Sequence, residues 1–460
     1  MMHLHILGIC GTFMGGIAAL AAAMGHRVTG SDRNVYPPMS TQLAKLGIEI
    51  HEGFDADQLE PPPDSVIVGN AMSRGNPAVE AVLNRGISYI SGPQWLAENV
   101  LANRHVIAVA GTHGKTTTAS MVAWILDQCG VEAGFLIGGI PANFETSARF
   151  GNSKFFVLEA DEYDTAFFDK RAKFVHYRPR TLILGNLEFD HADIYRDMDA
   201  IIWQFHQLLR TVPANGRLIV NGTDTHLQTL IRAGCWTPIE TFGLQGDTDW
   251  SAEFTDAAER YLAVKEPDGE RHRCGWKLGG RHNLENALSA VAASRSAGVT
   301  LPRALAALAT FEGVRRRMER TATVGDIAIY DDFAHHPTAI RRSLEGLRKR
   351  FPRERIVVAL EPRSNTMKLG VHNDSIAASL DSANSVFIYR PPEMGAEFEQ
   401  ALQTLGERAS IFTEYDELVS ALSRNLRAGD RLVFMSNGAF GGAREKLTAA
   451  LRDAQISAIS

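Results

Sequence analysis

The chain has 460 residues, 45% of them apolar, with 47 basic and 53 acidic side chains and a net charge of −6. That length exceeds what one hydrophobic core supports, so several domains are expected, and the apolar content excludes a disordered chain. The slightly acidic balance gives no electrostatic basis for binding nucleic acid or an anionic membrane.

The opening "MMHLHILGICG" has no basic targeting region, and the nearby "IAALAAAMG" is too short to span a bilayer. Cys10, Cys129, Cys235 and Cys274 have no paired spacing, which favours reduced thiols in a cytoplasmic protein over disulfides or zinc. "LHILGICGTFMGGIAALAAAMGHRVTGSD" predicts strand, glycine turn, Ala-rich helix and strand. Glycines at such a turn permit positive φ and let a phosphate approach the helix N-terminus. The spacing Gly8, Gly11, Gly15, Gly16 is not the dinucleotide fingerprint, so a tight packing turn is the competing reading. Ser31 and Asp32 stand where a ribose-binding acid often sits; a helix or turn cap is the alternative. Strand signals at 65–70 and 88–92 complete a Rossmann-like block that ends near Asn103.

A second block opens with "HVIAVAGTHGKTTT" and continues through strand signals at 155–161, 181–187 and 216–222. Helical patterns lie between them, one ending in a C-cap at Gly130, so a mostly parallel sheet is expected. The polar stretch 243–277 reads as antiparallel strands, and "RHNLENALSAVAASRSAG" as an amphipathic helix. In the third block, "IAIYDDFAHHP", "RIVVALEPRSN", "SVFIYR" and "RLVFMSNGAFGG" each read as a strand running into a loop, where α/β sheets carry ligands.

Gly111-Thr112-His113-Gly114-Lys115-Thr116 has the working end of a phosphate-binding loop. Backbone N–H groups cradle phosphate, Lys115 neutralises it, and the Thr116 hydroxyl is placed for Mg²⁺. Val109 stands where the longer pattern has its first glycine, so the loop is a shortened variant. Four acids in "EADEYD" (159–164) need cations or water, which makes Glu159 a Mg²⁺ candidate; "NLEFDHADIY" adds His191 beside Glu188 and Asp190, either as a second metal ligand or as a solvent-facing histidine. "FEGVRRRMER" is either a basic surface turn or the source of an arginine for a γ-phosphate. In "DDFAHHP", Asp332 suits a ribose and Phe333 a base.

In their order along nearly the whole chain, "GICGTFMGGIA", "SD", "AGTHGKTTT", "EADEYD", "NLEFDH", "GRHNLENALSA", "FEGVRRR", "DDFAHHPT" and "SNGAFGG" resemble the Mur ligase family of ATP-dependent peptidoglycan amide ligases. The resemblance implies an α/β protein of three domains: a Rossmann-like UDP-sugar domain (1–103), a central P-loop ATP domain (104–318) and a Rossmann-like amine-substrate domain (319–460). "DDFAHHPT" and "GVRRR" look most like the branch that loads UDP-N-acetylmuramate. "GNAMSRGNP" and "LEPRSNTMKLG" resemble members that attach the salvaged murein tripeptide L-alanyl-γ-D-glutamyl-meso-diaminopimelate; attachment of L-alanine is the alternative, and a non-catalytic ATP sensor the rival class. By the same resemblance, Gly8, Gly11, Thr12, Gly15, Ser31, Asp32 and Asn70 face the UDP-sugar. Gly111, Thr112, His113, Gly114, Lys115, Thr116, Thr117, His282, Asn286, Arg317, Asp332 and Phe333 face ATP. Thr116, Glu159 and His191 hold two Mg²⁺ ions, Lys115, Glu159, His191 and Arg317 are catalytic, and Arg363, Asn365 and Lys368 meet the peptide. No lysine lies between Thr181 and Arg217, so the carbamylated lysine of other branches is not expected.

Overall fold

The structure, a computed structural model, describes residues 1–35, 39–192 and 194–459, with side chains for all of these except Asn365 and residues 456–459. Three α/β sheets follow one another along the chain.

The first has five parallel strands, β1 (His3–Leu7), β2 (Arg27–Asp32), β3 (Glu49–Glu52), β4 (Ser65–Val68) and β5 (Tyr89–Ser91), in the order β3-β2-β1-β4-β5. Two of the three inner strands, "HLHIL" and "SVIV", are buried nearly throughout, as a sheet covered on both faces requires. Strand order reverses between β1 and β4, so the loops at Gly8 and at Gly69–Asn70 open together at a switch point. Gly8 has φ +82°, which only glycine adopts cheaply. Gly15 and Gly16 instead lie inside the helix Thr12–Ala23. A Cβ on Gly15 would come within 2.3 Å of Met39 Sδ, and one on Gly16 within 2.1 Å of Leu136 Cδ1. At these two positions the packing reading holds.

The central sheet has ten strands: β6 (His105–Ala110), β7 (Gly134–Leu136), β8 (Ala148–Arg149), β9 (Phe155–Glu159), β12 (Thr181–Leu184), β13 (Arg217–Asn221), β14 (Ile239–Gly243), β15 (Trp250–Phe254), β16 (Tyr261–Lys265) and β17 (Arg271–Gly275). A separate hairpin, β10 (Asp164–Ala166) with β11 (Asp169–Ala172), interrupts it. The order is β17-β16-β15-β14-β13-β12-β6-β9-β7-β8; the long middle is parallel and β15–β17 are antiparallel, as the polar stretch suggested. Helix Lys115–Gln128 stops at a Schellman turn: Gly130, at φ +77°, donates to Asp127 O, and Val131 donates to Leu126 O at 2.8 Å. Helix Arg281–Ser294 departs from the expected amphipathic pattern. Every residue from Ala287 to Ser294 is buried, because its alanines and serines are small enough to pack against both the sheet and helix Lys115–Gln128.

The third sheet comprises β18 (Glu319–Val324), β19 (Ile327–Asp332), β20 (Ile356–Leu360), β21 (Ser385–Tyr389), β22 (Ala409–Phe412) and β23 (Arg431–Met435), in the order β18-β19-β23-β20-β21-β22, parallel except for β18. Its two faces carry their own cores, whereas one continuous apolar cluster joins the first two sheets, running from Leu4 and Ile17 to Leu158 and Phe174. Among the described residues no helix is long and apolar enough to cross a membrane, and all four cysteines are free.

Gly16 is a contact point between the first helix and the central sheet. Gly→Ala inside a helix ordinarily stabilises by about 1 kcal/mol. Gly16→Ala is expected to destabilise by about 1–3 kcal/mol, because its methyl meets buried Leu136. Urea melts check this; an unchanged or raised midpoint is the contrary result.

Candidate active site

A cavity of about 800 Å³ opens where the carboxyl ends of the second and third sheets face each other. Its floor is the loop after β6. Gly111 (φ +137°) and Gly114 (φ +82°) have conformations that favour glycine. A Cβ on Gly111 would lie 2.9 Å from Asn186 O, and one on Gly114 would lie 2.4 Å from Asn286 Oδ1. The loop is tied to the segment after β12: Thr112 N–H donates to Asn186 O, His113 N–H to Asn186 Oδ1 at 2.8 Å, and Glu188 N–H to Thr112 Oγ1. No side chain caps the helix that begins at Lys115, so its first N–H groups are left for an anion. Thr117, in its first turn, lines the cavity as well.

Lys115 is held by Glu162, at 2.9 and 3.1 Å, and by Gly111 O at 2.6 Å. Burial alone lowers a lysine, but Glu162, Asp161 and Glu159 outweigh it and keep Lys115 above its ordinary value. Burial likewise opposes the Glu162 carboxylate, which Lys115 and His191 nevertheless hold below its usual 4.5. His191 Nε2 lies 3.2 Å from Glu162, and this residue has φ +58°, a conformation uncommon outside glycine. Thr116 Oγ1 donates to Glu159 at 2.8 Å, and Gly138 N–H to the other oxygen at 2.6 Å. Burial raises the Glu159 carboxyl despite these donors. The structure thus brings Thr116 and Glu159 together, and groups His191 with Glu162 and Lys115. Glu162 escaped the sequence reading because nothing in "EADEYD" distinguishes which acid turns inward.

The third sheet supplies the roof. Arg317 Nη2 reaches Thr116 Oγ1 at 3.3 Å from the linker, and it is flanked by two residues at positive φ, Arg316 (+60°) and Met318 (+48°). Each costs about 1–3 kcal/mol, strain of the kind that gathers where geometry serves function. Arg316 and Arg317 both cover the Phe333 ring, at 5.2 and 5.0 Å. Asp332, at the end of β19, is buried yet lines the cavity. His282 and Asn286 line the opposite wall, and burial pushes the His282 imidazole down to about 4, so it is neutral near pH 7. The pairing Thr366 Oγ1 to Asp190 Oδ1 (3.1 Å) bolts the segment after β20 onto the His191 loop. Arg363 lines the cavity against Gly438, but Lys368 pairs with Glu393 at 2.5 Å outside it. Asn365 lies outside the described side chains. A further group was not anticipated: His113, Glu188 and His336 bring three ligand-type atoms within 4.8 Å of one another across the domain junction.

A second cleft, about 810 Å³, opens at the front-sheet switch point and is lined by Gly8, Gly11, Thr12, Asp32 and Asn70. Asp32 accepts from the Cys10 and Asn34 N–H groups and so shapes the glycine turn. Ser31 is fully buried, donates to Gln58 Oε1 at 2.6 Å, and bonds to His5. Neither Ser31 nor Gly15 reaches the cleft. The side chain at position 31 turns into the core because strand alternation points it opposite to Asp32.

A phosphate-type loop, an acid–lysine network and an arginine delivered across a junction together define a nucleotide-dependent enzyme assembled between domains. Residues 3–104 match the domain described as Mur ligase family, catalytic domain; 109–294 match the Mur ligase middle domain; 316–438 match the Mur ligase, glutamate ligase domain. The chain is 53% identical over 97% of both sequences to UDP-N-acetylmuramate–L-alanyl-γ-D-glutamyl-meso-2,6-diaminoheptandioate ligase of Escherichia coli K12. A crystal structure of a murein peptide ligase from Psychrobacter arcticus 273-4 is 46% identical, with TM-score 0.79, covering 98% of this chain and 99% of that one. The UDP-N-acetylmuramate–alanine ligase of Thermotoga maritima superposes with TM-score 0.83 over 99% of this chain and 100% of that one, at 25% identity. The chain belongs to the Mur ligase family, whose members are ATP-dependent ligases that use Mg²⁺.

The Glu162 carboxylate, depressed in the fold, contributes stability that is complete above its unfolded value of 4.5 and is lost as the pH falls below that. Glu162→Gln is expected to cost about 3 kcal/mol at pH 7 and to flatten the loss of stability between pH 5 and 3. Urea melts across that range decide it, and parallel profiles for the two proteins would contradict the assignment.

Proposed function

We propose that the protein joins the lactyl carboxylate of UDP-N-acetylmuramate to the L-alanyl amine of L-alanyl-γ-D-glutamyl-meso-diaminopimelate, as in murein recycling in the cytoplasm. The observation that carries the reading is the convergence of Lys115, Glu159, Arg317, Asp332 and Arg363 on one cavity. The choice of amine rests on sequence: 53% identity to a tripeptide ligase, against 30–32% to alanine ligases of comparable length. In this reading residues 1–103 hold the sugar nucleotide, 104–318 the ATP and 319–460 the peptide.

The cavity suits a nucleotide with Mg²⁺. Its loop glycines leave room for phosphate, and Thr116 and Glu159 present the hard oxygen donors that Mg²⁺ prefers. Bound ATP supplies the phosphoryl group that turns the carboxylate into an acyl phosphate, with Mg²⁺ offsetting charge. Lys115 exchanges Glu162 for phosphate oxygens, and Glu162 then retains His191 as its partner. Thr116 and Glu159 would hold one Mg²⁺ ion, and His191 would serve a second. Arg317 completes the charge clamp when the linker closes, and Asp332 and Phe333 meet ribose and adenine beside Asn286 and the neutral His282. Gly8, Gly11, Thr12, Asp32 and Asn70 receive the sugar nucleotide, with Ser31 and Gly15 supporting from behind. Arg363, at the cavity, meets the anionic peptide, with Asn365 and Lys368 following it in sequence. Catalysis is then mainly positioning and charge neutralisation, as in other phosphoryl transfers.

Lys115→Ala and Arg317→Ala are each expected to slow substrate-dependent ADP release by at least about 10²–10³-fold. Near-normal turnover in either refutes its role. A direct comparison of tripeptide with L-alanine, each with UDP-N-acetylmuramate and ATP, is expected to favour tripeptide by about 100-fold or more in kcat/KM. Preference for L-alanine would establish the second reading, and no nucleotide turnover with either amine would favour a sensor.

A further inference from the structure

We propose that Lys173, on the central domain, clamps the diphosphate of the sugar nucleotide against the glycine turn of the front domain. This rests on the sugar-nucleotide reading above. Lys173 follows the β10–β11 hairpin and lines the front cleft together with Gly8, Gly11 and Thr12. Its side chain is 7% exposed. The ammonium has three N–H donors, and among the described residues its hydrogen-bond acceptor is Asp161 Oδ2 at 3.3 Å. It stands 5.4 Å from the ring of Phe13, in the first turn of the helix behind the glycine turn, and 5.4 Å from that of Tyr163.

Three observations make this more than a bridging salt link. First, a buried ammonium with unused donors is costly unless a further acceptor arrives, and the cleft is where one can. Second, the other cations lining the cleft are peripheral: Arg33 and Arg74 are exposed, and Arg74 is bound to Glu80. Third, the amine is held in place from both sides. Phe167 packs on the front-domain core, Phe168 meets Tyr89 edge-on at 5.1 Å, and Phe174 is buried against Phe205 at 5.0 Å. Opposite the amine, no side chain caps helix Thr12–Ala23 and no acid lies in its first turn. A diphosphate between them meets a helix N-terminus from one domain and a fixed cation from the other.

The test is calorimetric titration of the full chain with its ATP site filled by a non-hydrolysable analogue. The titrants are uridine, UDP and UDP-N-acetylmuramate. Lys173→Met is expected to weaken UDP and UDP-N-acetylmuramate alike, by about 10–100-fold, and to leave uridine and the ATP analogue unchanged. Lys173→Arg is expected to stay within about threefold of wild type. Loss confined to UDP-N-acetylmuramate would assign the amine to the lactyl carboxylate and overturn the proposal. Equal loss of the ATP analogue would show a structural role only and overturn it too. If Lys173→Met melts early, Asp161→Asn is read instead: freeing the ammonium should tighten UDP severalfold, and an unchanged affinity overturns the clamp. Wild-type protein that binds the ATP analogue but no uridine nucleotide would sink the sugar-nucleotide reading itself, a result distinct from any difference between variants.

Discussion

The arrangement depends on one buried charge problem. The Lys115 side chain is largely buried, where an uncompensated ammonium is costly, and Glu162 holds it. Glu162 in turn fixes His191, and the Tyr195 hydroxyl donates to the Glu162 carbonyl at 2.5 Å, which pins the loop from below. The positive φ of His191 follows from this demand: the backbone accepts strain so that the imidazole reaches the shared carboxylate. In the proposed reading, an entering triphosphate meets a lysine already oriented by Glu162 and exchanges one anion for another.

Around that pair, the second and third sheets contribute from their carboxyl edges, where helix N-termini and loop donors concentrate. The second and third sheets meet through polar contacts, Arg317 with Thr116, Thr366 with Asp190, and His336 near Glu188. Such contacts exchange readily with water and ligand, unlike the apolar seam that joins the first two sheets.

Much of this was legible in the sequence. The strands of each block show as apolar runs between glycine-rich turns, and the loop at Gly111–Thr116 announces itself by composition. What stayed hidden depends on tertiary placement. Glu162 and Asp164 look alike on paper; one is buried under Lys115, and the other pairs with Lys170 at the surface. Ser31 and Asp32 are neighbours, yet strand alternation sends one into the core and the other to the cleft. Helix Arg281–Ser294 misled by its polar first turn, because alanine fits a stripe or a wholly buried helix equally well. The cluster of His113, Glu188 and His336 draws on residues more than two hundred positions apart, and no local pattern encodes that.

The continuous apolar cluster beneath the first two sheets has a mechanical corollary. Leu4, Ile17, Leu158 and Phe174 lie in one oily seam, so the first two sheets share a core from which the third is left out. In the proposed reading, two of the three reactants dock on the sheets that share this seam. The linker that carries Arg317 joins this shared core to a third sheet that packs on cores of its own.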